Sequence, residues 1–202
     1  MDRSTDDRRR PGAPVLVLAA GASRRMGRAK PLMPWGEGCL LDRALTQARC
    51  LGTDTWVIGG RYYPLMRFRC RLQPRHWLFN PDWPEGMASS LRLGLHAMPK
   101  AVAGAFVVLV DQPLIDEDAL SRLREAAAVS PTIAAAADYG GRPGAPAYLP
   151  RAVWPAVMAV QGDRGAAVAL RQTRTRLVNM PGALADVDTP EDWRRCQQEW
   201  DG

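Results

Sequence analysis

The amino-acid sequence predicts an α/β fold in which helices cover both faces of a mostly parallel sheet. Continuous apolar runs end in glycine or polar turn residues, which is typical of strands buried on both faces. Between these runs lie segments with apolar residues three and four positions apart, which predict helices. Because strands and helices alternate, we expect right-handed crossovers and ligands beyond the carboxyl ends of the strands.

Each predicted element rests on its own local pattern. The apolar runs predict strands at 15–19, 55–58, 76–79, 105–110, 132–137, 144–149, 176–179 and 184–187. Helical spacing begins near Leu41, Met87 and Leu120, and two further helices are predicted at 153–160 and 165–171. A last helix follows Thr189-Pro190-Glu191-Asp192, which reads as a capping box with proline at the first helical position.

Length and composition favour one domain and an anionic partner. The chain has 202 residues, of which 47% are apolar, enough for one full core. Basic residues exceed acidic ones by six. Residues 1–14 carry charges without apolar residues to bury, so we expect a disordered tail before a single domain at 15–202. The arginines look scattered, without a stripe of basic and aromatic residues, so nucleic acid is not an expected partner.

The sequence gives no sign of membrane insertion or of a cysteine-based site. No apolar run approaches the ~20 residues of a membrane helix, and the first 14 residues lack the apolar stretch of a signal peptide. We therefore expect a cytoplasmic protein without a membrane partner. Its four cysteines have neither Cys-x-x-Cys nor regular spacing, so disulfide frameworks and zinc sites are not expected.

The strongest local signal is a loop of small residues after the first strand. Residues 18–30 read Leu-Ala-Ala-Gly-Ala-Ser-Arg-Arg-Met-Gly-Arg-Ala-Lys. Small residues let the backbone approach a ligand, and amide groups with nearby arginines suit a polyphosphate. The spacing matches neither the Rossmann fingerprint nor the P-loop, which weakens dehydrogenase and ATPase interpretations. Lys30 is one of only two lysines among 27 basic residues, and its compact charge suits a reacting phosphate.

Acidic residues follow two later predicted strands. Asp111 comes directly after the apolar run at 105–110, and Asp186 and Asp188 end the run at 184–187. Carboxylates beside bound phosphates are the usual ligands of Mg²⁺. A turn or a helix cap is the competing interpretation for each of them.

Two further loops enter predicted helices. In the segment Asn80 to Ser90, amides and hydroxyls suit the edge of a base, with helix capping by Ser89 or Ser90 as the alternative. The segment 162–165, Gly-Asp-Arg-Gly, suits an anion or a helix cap. The seven tryptophans are expected in packing, and neither histidine is given a catalytic role.

Together these segments resemble the MobA-like NTP transferases, and within that family the branch of cytidylyltransferases that act on the molybdenum cofactor. The likeness covers 15–193 and lies in five blocks in order: 18–30, 80–90, 111–113, 162–166 and 186–192. It implies a three-layer α/β/α, Rossmann-like nucleotidyltransferase fold with a mostly parallel mixed sheet. It also implies an enzyme that uses CTP and Mg²⁺, transfers CMP to the terminal phosphate of molybdopterin and releases pyrophosphate.

The resemblance assigns roles by position. The nucleotide would be held by Ala19, Ala20, Gly21, Ala22 and Ser23. Its phosphates would meet Arg24, Arg25 and Lys30. The base or ribose would meet Asn80, Gly86, Ser89 and Ser90. The metal would be held by Asp111 and Asp188, so Lys30, Arg24 and Asp111 are the expected catalytic residues. Ala20 stands where the guanylyl branch has a second glycine, which favours cytidine.

Two departures from the family pattern concern the acceptor. Ala145 stands where the family often has histidine, and Ala167 where it often has arginine. Another NTP or another phosphorylated acceptor, such as a sugar phosphate, therefore stays open. So does a carrier of nucleotide or molybdopterin that performs no chemistry. A molybdoenzyme or its chaperone is the expected protein partner.

Overall fold

Seven strands form one mixed sheet in the order β5-β4-β1-β6-β8-β7-β9. The computed structural model describes residues 12–201. The strands are β1 Val15–Ala19, β4 Thr55–Gly59, β5 His76–Phe79, β6 Gly104–Leu109, β7 Ala134–Asp138, β8 Pro143–Pro150 and β9 Thr175–Val178, and β2 Pro34–Trp35 pairs with β3 Gly38–Cys39 in a separate hairpin. Within the described part of the chain, β8 alone runs antiparallel in the large sheet.

Helices cover both faces of the large sheet, as the alternating pattern predicts. They are α1 Leu40–Leu51, α2 Tyr63–Arg69, α3 Met87–Ala97, α4 Glu117–Val129, α5 Trp154–Met158, α6 Ala167–Leu170 and α7 Pro190–Asp201. Alternate residues of β1 point to opposite faces: Val15 and Val17 join the core under α1 and α4, whereas Leu16 joins the core under α3 and α5. The predicted three-layer Rossmann-like form is confirmed. None of the helices described between residues 12 and 201 is long and apolar enough to cross a membrane.

One predicted strand is wrong. Residues 184–187 form no strand, because the backbone donors before Asp186 are used in local turns. Ala183 N donates to Met180 O and Ala185 N to Gly182 O. A single backbone bond then ties this segment to the sheet, from Val187 N to Asp111 O at 2.8 Å. Two predicted helices, from Val153 and from Gly165, are also shorter than expected, since α5 and α6 span only 154–158 and 167–170.

The sequence pattern did not predict α2 or the hairpin of β2 and β3. Helix α2 has one buried apolar residue, Met66, and therefore no apolar stripe to detect. The hairpin of β2 and β3 is too short to show alternation. Of the predicted tail, residues 1–11 lie outside the described residues, whereas Pro14 is buried and its carbonyl accepts a hydrogen bond from Phe106 N.

The fold brings Cys70 next to Cys39 and Asp42, which lie three residues apart at the start of α1, although 31 positions separate Cys39 from Cys70 in the sequence. The two Sγ atoms lie 3.7 Å apart, and Cys39 Sγ donates to Asp42 Oδ2 at 3.1 Å. These three groups are close enough to hold a metal ion. Both oxygens of Asp42 also accept backbone bonds, from Cys39 N and Leu72 N, so the carboxylate closes the N-terminus of α1.

The capping box at Thr189 predicts a measurable contribution to stability. Thr189 Oγ1 accepts from Asp192 N, and Asp192 Oδ2 accepts from Thr189 N at 2.9 Å. We expect Thr189→Ala to lower the free energy of unfolding by about 1 kcal/mol in urea denaturation, because Asp192 N loses its acceptor and the Asp192 carboxylate loses the hydroxyl that donates to it. Thr189→Ser keeps the hydroxyl and serves as the control. Equal stability of Thr189→Ala and wild type would contradict the role of the cap.

Candidate active site

A cleft of about 560 Å³ opens at the carboxyl end of β1 and β6. Its lining comprises 18–25, Lys30, Pro31, Trp83, Pro84, Gly86, Met87, Ser90, 109–111, Asp163, Asp186 and Asp188. The small-residue loop, the end of β6 and the segment before α7 thus meet at one place. This is the edge of the sheet where the sequence predicts ligands.

The loop after β1 is closed by Ser23. This residue has φ 52°, a conformation that residues with a side chain rarely adopt, and Gly27 follows at φ 68°. Ser23 Oγ accepts from Lys30 N at 3.1 Å, and Ser23 O accepts from Gly27 N at 3.1 Å. Ser23 therefore holds the loop in a turn that starts the short 3-10 helix Lys30–Leu32.

Lys30 joins two carboxylates at the centre of the cleft. Its Nζ donates to Asp111 Oδ2 at 2.9 Å and to Asp188 Oδ1 at 2.8 Å. Burial lowers the pKa of the ammonium, but the two carboxylates outweigh burial and hold that pKa above its usual value. Lys30 is therefore positively charged throughout the physiological pH range. The other oxygen of Asp188 is 2.9 Å from Arg25 Nη2, so a second cation reaches the same carboxylate from the exposed side.

Asp111 has one oxygen left over. Its Oδ1 is buried and has no hydrogen-bond partner among residues 12–201. A buried carboxylate oxygen without a partner is unfavourable unless a ligand satisfies it. The cleft also contains Asp186 and Asp188, and Mg²⁺ prefers oxygen ligands of this kind. The residues present therefore fit a divalent cation beside Asp111.

A second polar network fixes Asp186. Gln112, which is fully buried, donates through Nε2 to Asp186 Oδ1 at 3.1 Å and to Ala183 O at 2.8 Å. The hydroxyl of Tyr139 lies against the same amide and donates to Ala145 O at 2.8 Å. Burial, together with the charge of Asp111, raises the pKa of Asp186 to about 6. Gln112 thus positions the third carboxylate of the cleft.

The loop from Asn80 to Ser90 is held mainly by its own side chains. Asn80 Nδ2 donates to both Ser89 Oγ and Ser90 Oγ at 2.9 Å. Ser89 Oγ donates in turn to Asp82 O and Gly86 O. Of these three predicted base contacts, only Ser90 lines the cleft, while Asn80 and Ser89 are buried behind it. Neither serine caps α3, whose N-cap is Gly86.

Gly86 packs against the backbone of Gly162. Ala88 N donates to Gly162 O at 3.0 Å, which joins two loops that the sequence separates widely. Gly86 has φ 103°, and a Cβ there would collide with the Gly162 carbonyl. Because Gly86 has no Cβ, the two loops approach closely, and this contact shapes one wall of the cleft.

The remaining predicted residues fall at different depths of the site. Ala19 and Ala20 are buried where they line the cleft, whereas Ala22 is half-buried and Gly21, Arg24 and Arg25 are exposed. Ala145 and Ala167, which replace two polar residues of the family pattern, do not line the cleft.

Trp83, Gln112 and Tyr139 were not predicted as site residues. Trp83 lines the cleft, with the Arg61 guanidinium 6.0 Å from its ring, although the sequence suggested only packing. Pro81 and Pro84, before and after Trp83, together with Gly86, are the sequence signal that marks this loop as irregular. The side-chain amide of Gln112 contacts Tyr139, Ala183 and Asp186 across 27 to 74 residues, so no local pattern shows this network.

Comparison with known proteins identifies one family. A profile of the MobA-like NTP transferase domain matches residues 15–177. The nicotine blue oxidoreductase of Paenarthrobacter nicotinovorans is 31% identical, with 89% of this chain and 94% of that protein covered. The purine catabolism protein PucB of Bacillus subtilis is 30% identical, with 90% of this chain and 95% of that protein covered. The molybdenum cofactor cytidylyltransferase of Escherichia coli is 23% identical, with 92% of this chain and 95% of that protein covered.

Solved structures agree with the fold. Rv0371c from Mycobacterium tuberculosis superposes with a TM-score of 0.77 at 25% identity, covering 93% of this chain and 98% of that one. A nucleotidyl transferase from Methanothermobacter superposes with a TM-score of 0.80 at 16% identity, covering 94% of this chain and 97% of that one. The second likeness concerns the fold alone.

The free oxygen of Asp111 predicts cation binding. We expect wild-type protein to bind Mn²⁺, a hard cation that substitutes for Mg²⁺, and Asp111→Asn to bind it at least ~10-fold more weakly, because the amide offers a poorer ligand. Electron paramagnetic resonance of free Mn²⁺ measures the difference. Asp118→Asn, an exposed change on α4, is the control. Equal affinity of Asp111→Asn and wild type would rule out Asp111 as a ligand.

The contact between the two loops predicts a cost for Gly86→Ala. We expect the free energy of unfolding to fall by about 1–3 kcal/mol, because the methyl group meets the Gly162 backbone and φ is unfavourable. Gly21→Ala is the matched control, since φ there is not positive and no atom lies within 4 Å of the added Cβ. Thermal unfolding followed by circular dichroism compares the two. A smaller loss for Gly86→Ala than for Gly21→Ala would contradict this packing.

Proposed function

Since this chain belongs to the MobA-like NTP transferase family of nucleotidyltransferases, we propose that it transfers CMP from CTP to the terminal phosphate of molybdopterin. The observation that carries the proposal is that Lys30, at the end of the loop after β1, donates to both Asp111 and Asp188. Such a site offers amides and cations for a triphosphate, and carboxylates for its metal. The likeness to a molybdenum cofactor cytidylyltransferase over 92% of the chain supports the choice of acceptor.

The reaction needs alignment and charge neutralisation but no nucleophilic side chain. An oxygen of the acceptor phosphate forms a bond with the α-phosphorus of CTP, while the bond from that phosphorus to the bridging oxygen breaks. Pyrophosphate leaves with the electron pair. Because the acceptor phosphate is already ionised near neutral pH, no general base is required.

Different residues of the loop after β1 contact different parts of the triphosphate. Backbone amides of 20–23 contact the phosphates, and Arg24 and Arg25 approach them from the exposed rim. Lys30, which is fixed by two carboxylates, holds a positive charge where charge develops on the leaving group. Fixed charges of this kind need no reorganisation during the reaction.

Asp111, together with Asp188, would hold Mg²⁺. When bound, the ion would supply neutralisation of phosphate charge and polarisation of the phosphoryl oxygens. Asp111 fits this role best, because its Oδ1 is buried without a partner among the described residues, whereas both oxygens of Asp188 contact cations. Gln112 keeps Asp186 beside them.

The base and ribose would occupy the wall formed by Gly86 and Ser90. Trp83 lies on the same wall and offers a flat apolar surface. Asn80 and Ser89 act one layer behind, since their hydrogen bonds fix the shape of this loop. Ala20, with its Cβ where the guanylyl branch has a glycine, favours a pyrimidine.

An oxidoreductase is the second candidate. It is favoured by the relative named nicotine blue oxidoreductase, which is 31% identical to this chain. The cleft gives it less support. Four carboxylates, a lysine and two arginines suit phosphates and a cation better than a heterocycle that accepts hydride.

A pyrophosphate assay tests the proposal. Purified protein with Mg²⁺, CTP and molybdopterin loaded with molybdenum is expected to release pyrophosphate and form the cytosine dinucleotide, detected by mass. GTP, ATP and UTP are expected to react at least ~10-fold more slowly. Asp111→Asn is expected to lose at least ~100-fold in turnover, because the charge on the phosphates is then less well neutralised. Asp118→Asn is the control.

Three other outcomes would reassign the protein. Pyrophosphate release with a sugar phosphate but not with molybdopterin would indicate a different acceptor. Binding of CTP without release of pyrophosphate from any acceptor would indicate a carrier. Consumption of a reduced nicotinamide in the presence of nicotine blue, without pyrophosphate, would favour the oxidoreductase.

A further inference from the structure

One basic segment of the chain includes β4, α2 and the edge strand β5. Residues 55–81 contain five arginines and no acidic residue, so the other 22 basic residues nearly balance the 21 acidic ones. The expectation that the arginines are scattered is therefore wrong for this segment. The five are Arg61, Arg67, Arg69, Arg71 and Arg75. We call the surface formed by 61–79, which includes α2 and β5, the basic face.

All five arginines of the basic face are exposed. Arg71 lies 3.6 Å from Glu37 and Arg75 lies 3.8 Å from Asp54, at side-chain exposures of 63% and 70% for the two arginines. Exposed pairs at such distances contribute little. Among residues 12–201, no carboxylate forms an ion pair with Arg67 or Arg69. The face therefore keeps most of its charge.

Apolar side chains are exposed on the same face. Phe68 is 88% exposed and Leu65, one helical turn earlier on α2, is 39% exposed. Phe79 on the edge strand β5 is 50% exposed. Tyr63 packs on Trp77 and Phe79 at centroid distances of 6.0 and 5.3 Å, which joins α2 to β5 in one surface. Arginine and aromatic side chains together are typical of protein interfaces.

The basic face borders the mouth of the cleft. Arg61 N donates to Ala20 O, and Tyr62 Oη donates to Ala22 O at 3.1 Å. The guanidinium of Arg61 lies above Trp83, which lines the cleft. A macromolecule bound on the face would therefore sit next to the loop that faces the cleft.

We propose that the basic face binds a partner protein through an acidic surface that carries exposed apolar side chains. Charge complementarity selects the acidic partner. Two copies of this chain cannot meet symmetrically here, because the same positive charges would face each other. A phosphate backbone would engage the arginines but leave Leu65 and Phe68 in water, so a protein surface fits the face better than nucleic acid.

Three fluorescent probes test this proposal by anisotropy on the full chain. The first is a short peptide in which glutamate alternates with leucine and phenylalanine, the second replaces its apolar residues by serine, and the third is an oligothymidylate. The first is expected to bind tightest. The double variant Arg67→Glu, Arg69→Glu is expected to weaken it at least ~10-fold, and Phe68→Ser at least ~5-fold, since charge and apolar contact both contribute.

The matched control is the double variant Arg171→Glu, Arg174→Glu. It makes the same change of charge at exposed arginines beside β9, the opposite edge of the sheet. It is expected to bind the first peptide like wild type. Tighter binding of oligothymidylate would overturn the proposal in favour of nucleic acid. Equal losses in both double variants, or no binding of the first peptide, would overturn it outright. Arg67, Arg69 and Phe68 do not line the cleft, so their variants are expected to release pyrophosphate like wild type. Failure of the proposed function would instead appear as absence of pyrophosphate release from the wild-type protein.

Discussion

The structure of the cleft depends on one buried ammonium. Lys30 comes from the loop after β1, Asp111 from the end of β6 and Asp188 from the segment before α7, so three distant parts of the chain meet at one nitrogen. The two carboxylates lie 81 and 158 residues from Lys30 along the chain. Without the lysine, neighbouring carboxylates would repel each other in a poorly hydrated site. The same charge that holds the cleft together is the one that a phosphate would meet.

The sheet topology explains why this meeting is possible. β1 lies between β4 and β6 in parallel, so the loops after these strands open at the same edge. The loop after β1 supplies small residues and Lys30, and the loop after β6 supplies Asp111 and Gln112. On the other side, the missing Cβ of Gly86 leaves room for the Gly162 backbone, so two loops touch and form the wall. The lining of the cleft and its charged side chains therefore come from loops at the ends of neighbouring strands. The helices on the two faces of the sheet supply the apolar core.

Most of the architecture could be predicted from local patterns, and part of the site could not. The capping box at Thr189 and the apolar runs of β1 and β6 specify their structure within a few residues. The network of Gln112, Tyr139 and Asp186 joins side chains that no local spacing relates, and the proximity of Cys39 to Cys70 arises in the same way. The run at 184–187 looks like a strand because it is apolar, yet its backbone donors are used in turns. Apolar character predicts burial there, as Val187 shows, but not hydrogen bonding to a neighbour.

The central claim is that the loop after β1 receives a triphosphate while Asp111 and Asp188 face the metal bound to it. The most direct measurement is a crystal structure with CTP and Mn²⁺, with the metal located by its anomalous scattering. The account predicts a metal peak at about 2.2 Å from Asp111 Oδ1 and phosphate oxygens against the amides of 20–23. A peak remote from Asp111, or a triphosphate bound away from that loop, would contradict it.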